Sequence, residues 1–238
     1  MNERLETPQL HAQIYARLRD ALIFGRLEAG QQVSVRTVAD QFGISVTPAR
    51  DAMRQLIWEG GLEVRANGRI YVPLLDRAGV ESLRDESRTI ELLLLARALP
   101  RLGAAGAMEV ERLAARADAA FGAGDIREGL ECLRAARQAF FDASDCPWLL
   151  EIHRRILVRR GPQSIHFIGD YLRARRAPKV SWHLVAVRTR DLDQARRALI
   201  AESDAFFDFW ADHLDRTSAM EGPAAGAAGN RIASGGDR

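Results

Sequence analysis

Apolar side chains recur at helical spacing along most of the first 60 residues, and turn residues interrupt them. The first such stretch predicts a helix over residues 10–24. A second short amphipathic helix follows Ser34, a hydroxyl residue suited to cap a helix N-terminus. A third follows Ser45 or Thr47, with Pro48 in its first turn, where a missing N–H costs nothing. These patterns predict three helices before residue 61.

After the third helix the pattern changes from helical to alternating. Residues 62–65 and 70–72 flank Asn67-Gly68, and Asn-Gly between alternating apolar residues is the strongest short signal for a β-hairpin. The order helix, helix, tight turn, helix, hairpin is that of a winged helix-turn-helix. Residues 1–75 are therefore predicted to form such a domain.

The rest of the chain lacks strand signals. Residues 76–216 are rich in Ala, Leu and Arg with helical periodicity throughout, which predicts an all-helical bundle of about six helices. Within it, Gly161-Pro162 is interpreted as the end of a helix that opens at Pro147. Residues 217–238 hold almost no large apolar side chain and are predicted to be a disordered tail. The predicted fold class is mainly α.

The composition of the chain argues against several classes of protein but does not indicate one particular function. The 34 basic and 32 acidic residues leave a net charge of +2, which by itself does not indicate a nucleic-acid-binding protein. All basic residues except Lys179 are arginines, which codon bias in a GC-rich genome explains as readily as a need for bidentate contacts. No apolar run is long enough for a membrane span, no signal peptide is evident, and two cysteines fit a reducing compartment. We expect a cytoplasmic, nucleoid-associated protein without membrane contact, and no catalytic motif indicates an enzyme.

The polar face of the third helix carries the side chains best placed to reach DNA. A recognition helix enters the major groove with its N-terminal residues near the base edges. Arg50 lies one turn after the start of this helix, where its side chain can reach a phosphate or a guanine. Each arginine taken alone is also explained as a solvated charge, but the set on one side of a winged helix favours DNA binding. The predicted contacts are Arg36, Ser45, Thr47, Arg50, Arg54, Gly68 and Arg69.

Two stretches of the first domain resemble a known family. Residues 14–30 and the core Gly43-Ile-Ser-Val-Thr-Pro-Ala-Arg-Asp-Ala52 are similar to the DNA-binding domain of GntR-type bacterial transcription regulators. The resemblance implies that Arg36, Ser45, Thr47, Arg50 and the wing residues Gly68 and Arg69 contact DNA. It also implies a homodimer that binds a pseudo-palindromic operator, and a ligand-responsive regulator that is more often a repressor.

Two positions depart from that family pattern. Val46 stands where many members have an arginine that reads a base, so the operator sequence should not be copied from relatives. Gly61 stands where the family has leucine. Loss of a core leucine predicts softer packing between the third helix and the wing.

The second domain resembles FCD, the all-helical effector domain of the FadR branch of that family. The residues that carry the resemblance are Arg88-Thr-Ile-Glu91, Ala143–Glu151 and Arg190–Ala198. Many FCD domains hold a divalent metal through one Asp and three His, and the metal takes an effector carboxylate. The matching positions here are Arg137, Phe141, Val180 and Glu202, so none of the four expected ligands is present. We therefore expect no bound metal and no other cofactor.

Three interpretations of this substitution pattern remain open. Arg137 forms an ion pair with Glu202 where the metal would lie, or it clamps an anionic effector together with Arg88, or the pocket is closed and takes no effector. The predicted effector-binding residues are Arg88, Arg137, Phe141, His183 and Glu202. The leading prediction is a dimeric repressor that a small organic acid releases or modulates. The alternative is a winged-helix regulator without an effector, which binds DNA constitutively or is controlled by protein contacts.

Overall fold

The computed structural model describes residues 7–174 and 181–221 of the 238-residue chain. The first domain is a winged helix-turn-helix, as predicted. Its sheet has the strand order β1-β3-β2, and both pairings are antiparallel. The sequence did not predict β1, because this strand, unlike β2 and β3, has no Asn-Gly turn beside it. The elements are α1 (Thr7–Ile23), β1 (Gln32–Val33), α2 (Val35–Phe42), α3 (Val46–Trp58), β2 (Glu63–Val64) and β3 (Ile70–Tyr71).

The second domain is all-helical, which confirms the predicted fold class. Its described residues form seven α-helices, one more than the predicted number of about six, and a short 3-10 helix at Leu99–Arg101. The α-helices are α4 (Arg77–Ala98), α5 (Ala104–Gly122), α6 (Ile126–Asp142), α7 (Pro147–Ser164), α8 (Ile168–Arg173), α9 (Trp182–Thr189) and α10 (Leu192–Glu221).

Side-chain caps begin several of these helices. The Ser34 hydroxyl accepts a hydrogen bond from the Thr37 N–H at 3.0 Å, which satisfies a donor that the helix itself leaves free. The Asp125 carboxylate does the same for the Glu128 N–H at 2.9 Å. Gly43 ends α2 with a φ of 64°, in the left-handed region that glycine adopts without strain. The helix borders are thus encoded locally.

Two predicted helix ends differ from the structure. Helix α7 continues through Gly161-Pro162 to Ser164. Proline in the last turn removes one hydrogen bond, and the helix tolerates this loss there because packing holds the segment. Helix α10 runs to Glu221, so it extends into the segment predicted as a tail. Residues 222–238 lie outside the described residues.

The winged helix packs against α7 through close backbone approaches. A Cβ on Gly161 would lie 2.4 Å from the Leu22 carbonyl oxygen, so glycine is required at that crossing. Val158 of α7 is fully buried in the apolar core of the winged helix. Gly61 is buried too, and a Cβ there would lie 2.3 Å from the Val158 side chain. Gly61 is therefore not the packing defect that we expected, because α7 occupies the space of the family's leucine.

The helical domain has two further apolar clusters, which surround its polar interior. One joins α4, α6, α9 and α10 around Phe140, Phe141 and Trp182. The other joins Phe167 to the aromatic end of α10 around Phe207 and Trp210. No helix among the described residues has both the length and the apolar character of a membrane span.

Candidate DNA-binding surface and effector cavity

The seven predicted DNA-binding residues are all solvent-exposed. Helix α3 buries Pro48, Ala49, Ala52, Met53 and Leu56 and leaves its opposite side open. That open side carries Thr47, Arg50 and Arg54, with Ser45 at the N-cap. Arg36 is exposed in the first turn of α2, and Gly68 and Arg69 are exposed at the hairpin.

The arginines of this surface lack acidic partners. In the part of the chain that the structure describes, Arg36, Arg50 and Arg54 form no ion pair or side-chain hydrogen bond. Within the described residues, the Arg69 guanidinium makes one long hydrogen bond, which it donates to the Gln32 amide oxygen at 3.4 Å. The Ser45 side chain makes no capping hydrogen bond, although it stands at the N-terminus of α3. These groups are free to donate to phosphate or base acceptors.

A cavity of about 180 Å³ lies inside the helical domain. Its wall contains residues from all seven α-helices described for the domain, α4 to α10. Three of the five predicted effector residues line it, namely Arg137, His183 and Glu202. The other two, Arg88 and Phe141, do not.

Arg137 and Glu202 form an ion pair across the cavity, between α6 and α10. Their side chains are 18% and 12% exposed, so the pair is largely desolvated. The second Glu202 oxygen accepts a hydrogen bond from the Trp182 N–H at 3.1 Å. The ion-pair interpretation of these two positions therefore describes this structure.

Arg88 and Phe141 have other roles. Arg88 forms an ion pair with Asp204 on α10, one that is more exposed than the pair of Arg137. Phe141 is fully buried and stacks on Trp182 with ring centroids 5.1 Å apart. It also meets the His153 ring edge-on at 5.1 Å. Position 141 thus belongs to the apolar core, because an aromatic ring gains more from packing there than from the cavity.

Several cavity residues were missed by the sequence analysis. Burial alone raises the pKa of Glu91, but the hydrogen bond from His153 and the charges of Arg160 and Arg137 lower it to about 2. The Arg160 guanidinium lies 3.7 Å from the Glu91 carboxylate. Arg134 also lines the cavity and is three residues before Arg137 on α6. That i, i+3 spacing places both on one helix face and was a usable signal.

Two buried polar side chains in the cavity wall have no hydrogen-bond partner among the described residues. Both ring nitrogens of His183 are unpartnered although the residue is fully buried. Burial and the charge of Arg137 lower the pKa of His183 to about 3, so the ring is neutral at physiological pH. The Tyr171 hydroxyl is also unpartnered, and burial raises its pKa to about 12. Buried groups of this kind need an explanation, and a bound ligand supplies one.

The described residues contain no group of three or more His, Cys, Asp or Glu side chains that could hold a metal ion. At or near the positions where the family has its metal ligands, the described side chains that can coordinate a metal are His183 and Glu202. Val180, which stands at one of those positions, lies outside the described residues. The donor set present therefore does not fit the metal of the metal-binding FCD domains.

A winged helix with unpaired arginines, joined to a helical domain that encloses a polar cavity, defines a DNA-binding regulator with a ligand-binding domain. Comparison with family models agrees. Residues 10–72 match the gntR family of bacterial regulatory proteins, and residues 87–202 match the FCD domain. The chain belongs to the GntR family of transcription regulators and carries an FCD effector-binding domain.

Individual relatives support the same assignment. The chain is 24% identical over 200 residues to the HTH-type transcriptional regulator McbR of Escherichia coli K12, covering 82% of this chain and 90% of that protein. The solved structure of E. coli McbR/YncC superposes with a TM-score of 0.72 at 22% identity, covering 88% and 98% of the two chains. A GntR regulator from Rhodococcus sp. RHA1 gives 0.56 at 16% identity, covering 88% and 96%. The protein is thus a transcription regulator rather than an enzyme, as predicted.

Proposed function

We propose that the protein acts in the cytoplasm as a homodimeric repressor that binds a pseudo-palindromic operator. A small organic acid in the cavity of the helical domain modulates that binding. Each winged helix of the dimer reads one half-site through the exposed side of α3 and through the hairpin. The proposed contacts are Arg36, Ser45, Thr47, Arg50, Arg54, Gly68 and Arg69.

The observation that carries this proposal is the absence of acidic partners at the α2 and α3 arginines. Among the described residues, 15 of the 25 other arginines form an ion pair with a carboxylate, for example Arg77 with Glu81 at 3.2 Å and Arg159 with Glu86 at 2.6 Å. Arg36, Arg50 and Arg54 have none among the described residues. Free exposed arginines beside a helix N-terminus are suited to phosphate and guanine.

The charge of the cavity supports an anionic effector. Its wall includes three arginines, at positions 134, 137 and 160, and two largely buried glutamates, at positions 91 and 202. With His183 neutral, the three arginines exceed the two largely buried glutamates by one charge, and the remaining carboxylate of the wall, Asp118, is exposed to solvent. A carboxylate ligand balances that charge, and its other polar atoms pair with His183 or Tyr171.

DNA binding is tested with the segment upstream of the protein's own gene. Fluorescence anisotropy at several salt concentrations should show tight binding that weakens steeply with salt, because each phosphate contact releases a counterion. A scrambled duplex of equal length is the control. Equal affinity for both duplexes would contradict specific operator recognition. A stoichiometry of one chain per duplex would contradict binding as a dimer.

The effector is tested by a thermal-shift screen of small carboxylic acids and sugar acids, with and without divalent metal. We expect acids that raise the melting temperature without added metal, since the cavity supplies its own cations. Stabilisation that requires zinc or nickel, or stoichiometric metal in the purified protein, would contradict this proposal. Repression is supported if a stabilising acid weakens operator binding and derepresses a reporter.

A further inference from the structure

Arg134 connects the cavity to the winged helix. It lies on α6 and lines the cavity. Its guanidinium carbon also lies 4.9 Å from the centre of the Phe24 ring, just after the end of α1. The guanidinium carbon of Arg26 also lies over the Phe24 ring, 5.7 Å from its centre. One side chain thus contacts both the candidate effector site and the DNA-binding domain.

The charge of Arg134 is unbalanced. Its cavity neighbours Arg137 and Arg160 lie beside Glu202 and Glu91. Among the described residues, no carboxylate lies within ion-pairing distance of Arg134. Glu131 lies one turn earlier on α6, but it forms ion pairs with Arg26 at 3.7 Å and with Arg127 at 3.5 Å rather than with Arg134.

The protonation state of Arg134 follows from these surroundings. Burial and the charges of Arg160 and Arg137 lower its pKa to about 9. The group is therefore still a cation at neutral pH. A half-buried cation that two other cations repel is unfavourable, and an anion in the cavity relieves this repulsion.

The size of the cavity limits the anion. A dry cavity of about 150 Å³ in another protein accommodates benzene, and the cavity here measures about 180 Å³. Its wall includes the apolar rings of Phe121, Trp182, Phe206 and Phe207. A carboxylate attached to one ring, or to an aliphatic group of similar volume, fits both the space and the excess positive charge of the buried groups.

A carboxylate also competes with Phe24 for the guanidinium. Arginine holds a carboxylate by two charge-assisted hydrogen bonds, which are stronger than stacking on an aromatic ring. Phe24 lies half-buried next to Gly25, where a Cβ would be 2.7 Å from the Ile165 side chain. A change at Phe24 therefore acts where the winged helix packs tightly against the helical domain.

We propose that Arg134 is the residue that binds a small organic monoanion in the cavity, and that its withdrawal from Phe24 transmits binding to the winged helix. This proposal rests on the effector function proposed for the cavity. It assigns anion binding to Arg134 rather than to Arg137, which Glu202 already neutralises. It also gives a physical route for the linkage between effector and DNA.

Binding is tested by calorimetric titration of the full chain with benzoate, and with neutral benzamide as the matched ligand. The native protein should bind benzoate and not benzamide. Arg134→Gln should weaken benzoate binding about tenfold to 100-fold, as expected for loss of a charge-assisted contact. Arg134→Lys should recover part of it. Arg112→Gln, which removes an exposed arginine paired with Glu109 on α5, should bind like the native protein.

Transmission is tested separately with Phe24→Leu, which keeps an apolar side chain but removes the aromatic ring. This variant should bind benzoate with native affinity. Benzoate should change the operator affinity of the native protein at least about fivefold, a typical allosteric coupling, and that of Phe24→Leu less than twofold. Melting curves of each variant confirm that it is folded.

The outcomes separate this proposal from the proposed function. Native benzoate affinity in folded Arg134→Gln, or failure of the native protein to bind benzoate, would overturn the assignment of a monoanion to Arg134. Undiminished coupling in Phe24→Leu would overturn the transmission route. In each of these cases, other acids that stabilise the protein and weaken operator binding would still support the proposed function. Loss of specific DNA binding in the native protein would overturn the proposed function itself.

Discussion

The DNA-binding surface and the cavity both depend on arginine, yet they use it in opposite ways. On α2 and α3, Arg36, Arg50 and Arg54 are exposed and have no partner among the described residues. Inside the helical domain, Arg137 and Arg160 are largely buried and lie beside glutamates. The two sets of arginines therefore differ in burial and in pairing, although exposed unpaired arginines such as Arg97 and Arg188 also occur in the described part of the helical domain. The net charge of +2 averages over both regions.

Arg134 is the exception that makes the comparison informative. It shares the burial of the cavity arginines, and like the surface arginines it has no carboxylate partner among the described residues. A cation in that combination is costly to the folded protein. We infer that this cost reflects the anion binding proposed for Arg134.

The largest expected effect concerns the paired region. Arg137→Met leaves the Glu202 carboxylate largely buried without its cation, and breaking such a pair costs about 3–5 kcal/mol. Urea unfolding should show a loss of this order. The double variant Arg137→Met/Glu202→Leu should recover much of it, because no isolated charge remains. A loss below about 1 kcal/mol in the single variant would show that the pair behaves like a surface ion pair.

The second effect concerns the junction between the two regions. Gly161→Ala places a Cβ about 2.4 Å from the Leu22 carbonyl oxygen, so α1 and α7 must separate. Overpacking of this kind costs about 1–3 kcal/mol in the free energy of unfolding. Gly122→Ala at the end of α5, where a Cβ meets nothing within 4 Å, is the matched control. Equal stability of the two variants would disprove the close packing.

The third effect concerns the unpaired surface. Arg50→Ala should leave the free energy of unfolding within about 0.5 kcal/mol, because the side chain has no partner to lose. Operator binding should weaken by about 1–3 kcal/mol, measured by anisotropy. Asp51→Ala, at the neighbouring exposed position, removes a negative charge and should not weaken binding. Native operator affinity in Arg50→Ala would remove this residue from the interface.

The smallest expected effect concerns Glu91 in the cavity, because it changes the stability of the protein only at acidic pH. The pKa of Glu91 is lowered from 4.5 to about 2, despite the opposing effect of burial, mainly by His153 and Arg160. A lowered pKa in the folded state means that Glu91 contributes stability above about pH 4.5, which is lost as the pH falls towards 2. Urea unfolding between pH 5 and pH 3 should therefore lose less stability in Glu91→Gln than in the native protein. Parallel losses would contradict the lowered pKa.

The DNA-binding domain was more predictable than the cavity. Its caps, turns and exposed polar residues are local signals, and Ser34, Gly43 and Asn67-Gly68 have the cap and turn positions that the sequence predicts. The identity of the seven proposed DNA contacts remains a prediction, although all are exposed as it requires.

The cavity depends on helix packing that no local pattern encodes. Arg137 and Glu202 were found through family positions, but Phe141, one turn from Arg137, faces Trp182 and His153 instead. Arg160 belongs to a group of four arginines on α7, and only tertiary packing shows which one reaches Glu91. Gly61 and Gly161 likewise gain their meaning from the contact between α1 and α7.

The salt dependence of operator binding tests the central contrast most directly. The triple variant Arg36→Ala/Arg50→Ala/Arg54→Ala is compared with the native protein over a series of salt concentrations. We predict an unchanged melting temperature and a slope of log K against log salt that is smaller by about 0.9 for every phosphate that the variant no longer neutralises. An unchanged slope, or a large loss of stability, would show that these arginines are structural or merely solvated.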